Sequence, residues 1–385
     1  MIGSMQLGQG TGPLSGVRVV ELAGIGPGPH ACMILADLGA DVIRIDRPGG
    51  QGTGGPYDLL NRGRPSVALD LKHPDAVAAV LDLVERADAL VEGLRPGTTE
   101  RLGVGPEECL ARNPRLVYGR MTGWGQDGPL ADTAGHDLGY IAITGALHAM
   151  GQDKARPQFP SNLVGDFGAG STYLVIGILA ALIEAGLSGH GQVVDAAIVD
   201  GTAHLNSMAT GFLAAGLLRE ERGANLLDGG APFYDVYETS DGRHLAIGAL
   251  EPKFFDELVG LLGIADTAPD RNDPANHAEL RRVIADAVAT RTQDEWVAVF
   301  DGSDACVAPV LRLTEAFDHP HLVARRTFVE HDGTTQPAPA PRFSRTAPTL
   351  STPPPAVAGQ DTREALAAWG LDADALIRSG AAVQP

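Results

Sequence analysis

Four side chains in this sequence have the types and settings that proton transfer uses: His136, its neighbour Asp137, Asp166 and Glu251. Asp166 lies in Ser161 to Ile183, SNLVGDFGAGSTYLVIGILAALI, just ahead of Gly168-Ala169-Gly170 and a strongly apolar run. That pattern predicts a small-residue turn opening a helix, with Asp166 near the helix N-terminus. Such a terminus presents unpaired N–H groups and the positive end of the helix dipole, which suits an anion or a developing oxyanion. The position fits a simple helix cap equally well. His136 and Glu251 also open elements and have small residues on their flanks. An imidazole titrates near neutrality and serves as acid or base. Glu251 before Pro252 reads as a plain cap too. Residue types alone leave both readings open at each site.

The chain in front of these side chains alternates strand and helix. Val17 to Leu22 (VRVVEL) is a β-rich run, followed by the turn AGIGPGPH, a helix through Leu38, a stop at Gly39 and a second strand, Asp41 to Asp46. This strand–helix–strand unit implies a parallel α/β sheet. Gly24 and Gly26 have the spacing of a dinucleotide fingerprint, and Asp46 stands where a ribose-binding acid would. Pro29, however, occupies the third glycine position, where helix and strand must pack closely, so nicotinamide binding is not expected. A Gly-rich loop, Gly49 to Gly55, precedes Arg62 and Arg64, which by charge alone fit a phosphate or a solvated surface. Ser66 to Asp70, Ala89 to Glu92 and Leu116 to Met121 continue the strands. An amphipathic helix covers His73 to Arg86, and Pro106-Glu107-Glu108 starts another.

Further on, Gln192 to Ala197 is strand-like and Asp200 to Leu218 helical. Phe233 to Thr239 and Arg243 to Ala249 flank the turn Ser240-Asp241-Gly242 as a hairpin. Pro252 opens a helix, and Thr292-Gln293-Asp294-Glu295 has the form of a capping box. The expected fold is α/β, with residues 13–225 and 335–385 as a Rossmann-like large domain around a parallel sheet. Residues 226–334 form a smaller α+β domain, and 1–12 a disordered tail. The Pro/Thr/Ala-rich stretch from Thr334 to Pro355 is expected to run extended.

At 385 residues, two domains are the natural division. A net charge of −19 argues against nonspecific nucleic-acid or anionic-membrane binding, while an anionic small ligand requires arginines gathered locally. The longest apolar run, Tyr173 to Ile183, is shorter than a bilayer span and reads as a fully buried helix. Cys32, Cys109 and Cys306 are widely spaced and form neither a disulfide framework nor a metal-ligand pattern, so no metal and a reducing compartment are expected. The first dozen residues lack a signal-peptide pattern and the terminal Val-Gln-Pro is no peroxisomal address, so a cytoplasmic location is expected.

Eight stretches carry a resemblance: GPLSGVRVVELAGIGPGPHACMILADLGADVIRIDRP, EGLRPGTTERLGVGPEEC, MTGWGQDGP, AGHDLGY, NLVGDFGAGS, GQVVDAAIVDG, GGAPFYDVYET and APRFSRTAP. In this order and spacing the chain resembles the family III CoA-transferase and racemase group (the CaiB/BaiF type), closely its 2-methylacyl-CoA racemase branch. The likeness covers essentially the whole chain. It departs from the family pattern at Gln360-Asp361-Thr362, where a His-Thr pair is common.

The resemblance implies an interlocked homodimer whose active site lies between the large domain of one chain and the small domain of the other. In transferases of the group, the carboxylate matching Asp166 is the acyl-accepting nucleophile. In racemases, the position of His136 is a histidine, so the resemblance favours racemisation over the transferase alternative. A two-base scheme then follows. His136 removes the proton α to the thioester from one face, Asp166 returns one from the other, and reversal swaps the roles. Leu163, Val164 and Phe167 are expected to form an apolar wall that raises the Asp166 pKa. The resemblance places Glu251 beside His136 and gives Asp137 a role in holding the site's hydrogen bonds. For the CoA moiety it points to Arg47, Leu69, Asp70, Leu71, Lys72, Gly93, Leu94, Arg95 and Arg101, with Gly135, Leu138, Gly139 and Tyr140 beside the thioester. No cofactor is expected beyond the coenzyme A of the substrate.

Overall fold

The computed structural model describes residues 10–50, 55–151 and 156–385. Most of the expected N-terminal tail and residues 51–54 of the Gly-rich loop lie outside the described residues. The chain forms two compact units. The first comprises residues up to Thr144, Pro160–Leu205 and Pro320–Pro385, and the second comprises Gly145–Phe159 and Asn206–His319.

The first unit is built on six parallel strands: β1 (Arg18–Leu22), β2 (Asp41–Asp46), β3 (Ser66–Leu69), β4 (Ala89–Glu92), β5 (Val117–Thr122) and β6 (Val193–Ala197). They lie in the order β3-β2-β1-β4-β5-β6, and the two-residue strand Ala382–Val383 adds antiparallel to β3 at the edge. Four of the five β1 residues are buried, as expected for a strand covered on both faces. One face packs under helix α2 (Pro74–Val84) and the C-terminal helices, with Leu83, Leu90, Tyr118, Leu366 and Trp369 in one cluster. The other packs under helix α1 (Pro27–Asp37) and the long helix Thr172–Ser188, through Leu35, Val42, Val117, Leu174 and Ile178. Each fully buried aliphatic side chain of this kind contributes roughly 1.5–3 kcal/mol. The strand order reverses between β1 and β4, and in such sheets ligands bind in the crevice past the carboxyl ends at that point.

The second unit pairs β7 (Tyr234–Glu238), β8 (His244–Gly248) and β9 (Val307–Pro309) in an antiparallel sheet. Helices Pro252–Leu262, His277–Val288 and Gln293–Phe300 cover it, with Leu258, Ile284 and Trp296 in its core. The Thr292/Glu295 capping box forms as the sequence predicts.

Several boundaries differ from the sequence reading. The second unit begins at Asn206 and takes in Gly145–Phe159, rather than spanning 226–334. The expected helix over Asp200 to Leu218 is two, Ile198–Leu205 and Ser207–Ala214, with Asn206 as the N-cap between them. The hairpin Phe328–His331/Thr334–Pro337 belongs to the first unit, where Gln336 Oε1 accepts from Arg62 at 2.9 Å. Gly10 to Gly12, expected in the loose tail, are packed: Thr11 Oγ1 bonds Thr349 Oγ1 at 2.6 Å. A side chain on Gly12 would collide with the Leu38 carbonyl. The unusual Asp361-Thr362 pair joins strand β3, whose Ser66 N–H donates to Asp361 Oδ2 at 2.9 Å and Ala68 N–H to Thr362 Oγ1 at 3.0 Å.

The apolar run after Asp166 corrects two expectations. It continues from a preceding helical segment into one 26-residue helix, Leu163–Ser188, long and apolar enough by length and composition to cross a bilayer. It is also not fully buried: Leu174, Ile178 and Ala181 face the core, while Ile176, Ile183 and Leu187 are 58%, 70% and 86% exposed.

Candidate active site

A cavity of about 400 Å³ opens past the carboxyl ends of β1, β4 and β5. Its walls are the Leu22 to Pro29 turn, the Glu92 to Pro96 loop, Met121 to Trp124, and the segment carrying Gly135, His136 and Tyr140; Asp166 closes it.

The segment expected to be a turn before a helix, GDFGAG, is itself helical. Leu163–Ser171 winds as a π-helix, with i to i+5 bonds such as Phe167 N–H to Asn162 O at 3.3 Å, and runs directly into Thr172–Ser188. Wide turns of this kind recur at functional sites because they displace a side chain from the regular helix face. Asp166 lies within this wide turn. Its backbone N–H donates to Asp137 Oδ1 at 2.7 Å, and its Oδ2 accepts from Asn162 Nδ2 at 3.2 Å. Gly165 permits the first contact, since a Cβ there would stand 2.3 Å from Asp137 Oδ1.

Burial raises the pKa of the Asp166 carboxyl above the ordinary carboxylate range. The Asn162 hydrogen bond opposes this, the Asp137 charge adds to it, and His136 pulls the other way. The expected apolar wall is only partly there: Leu163 is 62% exposed. The covering comes in part from the start of α1, where a Cβ on Gly26 would lie 3.4 Å from Asp166 Oδ2.

His136 is the N-cap of helix α3 (Asp137–Ile143), is exposed, and makes no side-chain capping bond. Its imidazole is thus not consumed by the backbone. Asp137 is buried behind Asp166. Tyr140, one turn on, packs edge-on against Trp124 with centroids 4.6 Å apart at 85°. Burial and then the Asp166 charge raise its phenol pKa, so it remains a neutral hydroxyl. Glu92 is nearly inaccessible. Its Oε1 accepts from Arg120 at 2.9 Å and its Oε2 from Leu94 N–H at 2.7 Å, which fixes the loop bearing Gly93, Leu94 and Arg95.

Of the residues singled out in the sequence, His136, Asp166, Gly93, Leu94, Arg95, Gly135 and Tyr140 line one cavity, and Asp137 stands directly behind Asp166. Arg47, Leu69, Asp70, Leu71, Lys72, Arg101, Leu138 and Gly139 are not among its lining residues. Arg47, Lys72, Arg101 and Leu138 are exposed, and the Leu69 side chain is in the core. Asp70 Oδ1 accepts from Lys72 N–H at 3.1 Å. Glu251 belongs to the second unit. It occupies the N-cap of Pro252–Leu262 without a side-chain capping bond, so plain capping does not explain it.

Three charged residues weighed for ligand contacts are structural. Arg62 forks onto Asp37 at 2.6 and 3.2 Å. Arg64 pairs with Glu21 at 2.9 Å and donates to the Pro29 carbonyl at 2.7 Å. Asp46 accepts from Arg44 at 3.1 Å and from Ser66 Oγ at 2.6 Å, so it is not presented to a ribose. The sequence reading passed over Ile25, Trp124 and Asn162. For Ile25 and Trp124 the available signal was position, three and two residues past the ends of strands β1 and β5.

Together the fold and this site define an α/β protein with a cavity lined by a histidine and an aspartate at the switch point of a parallel sheet. The chain belongs to the CoA-transferase family III, whose model matches residues 14–362. It is 42% identical over 367 residues to an alpha-methylacyl-CoA racemase of Mus musculus, covering 95% of each chain. It is 41% identical over 364 residues to the Homo sapiens alpha-methylacyl-CoA racemase, covering 93% of this chain and 94% of that one. Among solved structures, a CaiB/BaiF family protein from Brucella suis superposes with a TM-score of 0.81 at 28% identity, over 93% of this chain and all of that one.

Proposed function

We propose that this protein is a racemase that interconverts the 2R and 2S epimers of 2-methylacyl-CoA thioesters by two-base 1,1-proton transfer through an enolate. The observation that carries this reading is that His136 and a burial-raised Asp166 line the same cavity. Neutral His136 takes the C2 proton, and the C–H electron pair moves into the thioester carbonyl as an enolate. The Asp166 carboxylic acid then delivers its proton to the opposite face of C2. The enzyme is left with imidazolium and carboxylate, which is the starting form for the reverse direction. A carboxyl with a raised pKa suits this, because the proton it must hold is retained closer to neutral pH.

Arg95 at the cavity supplies positive charge for the CoA phosphates, with Arg47, Lys72 and Arg101 as further cations of the same chain. The chain acts as a homodimer in which Glu251 of the partner subunit orients His136. The exposed apolar face of Ile176, Ile183 and Leu187 supports a partner chain. Coenzyme A enters as part of the substrate, no other cofactor is used, and the protein works in the cytoplasm.

The test is incubation with one 2-methylacyl-CoA epimer in heavy water. Deuterium gain at C2 with loss of optical purity is expected. Transfer of CoA to an added carboxylic acid without exchange would make Asp166 a transferase nucleophile. Tight CoA-ester binding with neither reaction would leave a binding protein.

A further inference from the structure

His30 sits in the first turn of α1, just past the Gly24 to Gly26 wall of the cavity, and the proton-transfer scheme does not use it. Its ring lies on Phe167, the residue after Asp166, with centroids 4.4 Å apart at 32°. Its Nδ1 is 2.6 Å from Ser171 Oγ. Ser171 Oγ is also 2.9 Å from the Phe167 carbonyl oxygen, which only accepts, so the hydroxyl hydrogen goes there. With its hydrogen assigned to that carbonyl, Ser171 Oγ accepts from His30, which assigns His30 the Nδ1–H tautomer. Burial first, then Arg62 and Arg64, lower its pKa, so it stays neutral at working pH.

A relay therefore runs from His30 Nδ1–H to Ser171 Oγ–H to the Phe167 carbonyl, from α1 into the middle of the π-helix. The same carbonyl accepts from the Thr172 N–H, and Thr172 Oγ1, 2.5 Å from it and 2.7 Å from the Gly168 carbonyl, shares its one hydrogen between the two. The Thr172 N–H bond, five places back, is the π-helical one, and the hydroxyls crowded on the same carbonyl bend the helix there and favour the wide turn over a regular α-helix. Helix α1 thus meets the Asp166 segment twice, through Gly26 beside the carboxylate and through His30 behind it. From this geometry we infer that His30 is a positioning residue: through Ser171 it keeps the π-helical turn in register and so sets where the Asp166 carboxyl stands in the cavity. The consequence for turnover rests on the racemase reading; the consequence for the Asp166 environment does not.

The test follows the Asp166 carboxyl by carbon-13 NMR titration in the full-length, Asp-labelled protein, with its signal identified by loss in Asp166→Asn. His30→Phe keeps a ring on Phe167 but removes the donor; Ser171→Ala removes the relay. Both are expected to move the Asp166 midpoint toward the free-carboxylate range by about half a pH unit or more. In the C2-exchange assay both should lower kcat about tenfold or more while KM changes by less than about twofold. His30→Asn places an amide N–H near the position of Nδ1–H and should recover part of the loss.

An unchanged Asp166 midpoint and kcat in folded His30→Phe and Ser171→Ala would overturn the inference. Should His30→Phe fail to fold, Ser171→Ala and His30→Asn carry the same comparison, and a wild-type midpoint in Ser171→Ala overturns it. A wild-type protein that exchanges no C2 proton would sink the racemase reading, while the NMR midpoints still decide the role of His30.

Discussion

Asp166 titrates higher in the folded protein than in the unfolded chain because burial disfavours its charged form. A group shifted that way contributes stability below the unfolded carboxylate pKa of 3.8 and loses it as pH rises through the folded value. Asp166→Asn, permanently neutral, is therefore expected to melt above wild type at pH 7–8, with the gain vanishing near pH 3. Calorimetry at the two pH values checks the sign. In catalysis, His136→Ala and Asp166→Ala should each reduce kcat for racemisation by about 10²–10⁴-fold with unchanged circular dichroism. Near-normal racemisation in either would contradict the two-base scheme. Arg95→Ala should raise KM for the CoA thioester with little change in kcat, since its proposed partner is the CoA phosphates rather than the reacting carbon. At this scale the sequence was informative about type and poor about partners. His136 and Asp166 stand out from their settings. Arg62, Arg64 and Asp46 look equally available until folding brings Asp37, Glu21 and Ser66 against them from distant positions.

The π-helix is the element on which the acid depends, and Gly165 is where it touches Asp137. Gly165→Ala would drive a methyl group into the Asp137 carboxylate and part it from the Asp166 N–H. A loss of about 10² in kcat/KM is expected, with the protein still folded, measured by C2 exchange alongside thermal melting. Little change would mean that the Asp137 contact does not set the carboxyl's place. Strands β1 to β5 and helix α2 were readable because a sheet buried on both faces needs unbroken apolar runs, and a surface helix needs an apolar stripe. The wide turn was not. Gly-Asp-Phe-Gly-Ala-Gly has the composition of a loop, and its helical state depends on His30, Ser171 and Asp137, which local propensity does not register.

For the whole molecule, the proposed dimer makes a quantitative expectation. If each site joins His136 of one chain to Glu251 of the partner subunit, His136→Ala and Glu251→Gln homodimers are both weak. Randomly mixed dimers should then recover about a quarter of wild-type exchange, from the one intact site in each mixed pair. No recovery on mixing would put both residues in one chain's own site. The exposed side of Leu163–Ser188 shows why a single sequence misjudged burial, because its apolar run carries no mark of what covers each face. The order of the chain carries a last consequence. The sheet that holds the site is assembled from the first two hundred residues, yet one of its faces is sealed by Leu366 and Trp369, and its edge strand is Ala382–Val383. Until residues 362–383 are made, the cluster of Leu83, Leu90 and Tyr118 therefore lacks part of its cover. Residues 362–383 act as a latch, and the site-bearing unit is complete only once they have folded back onto the sheet.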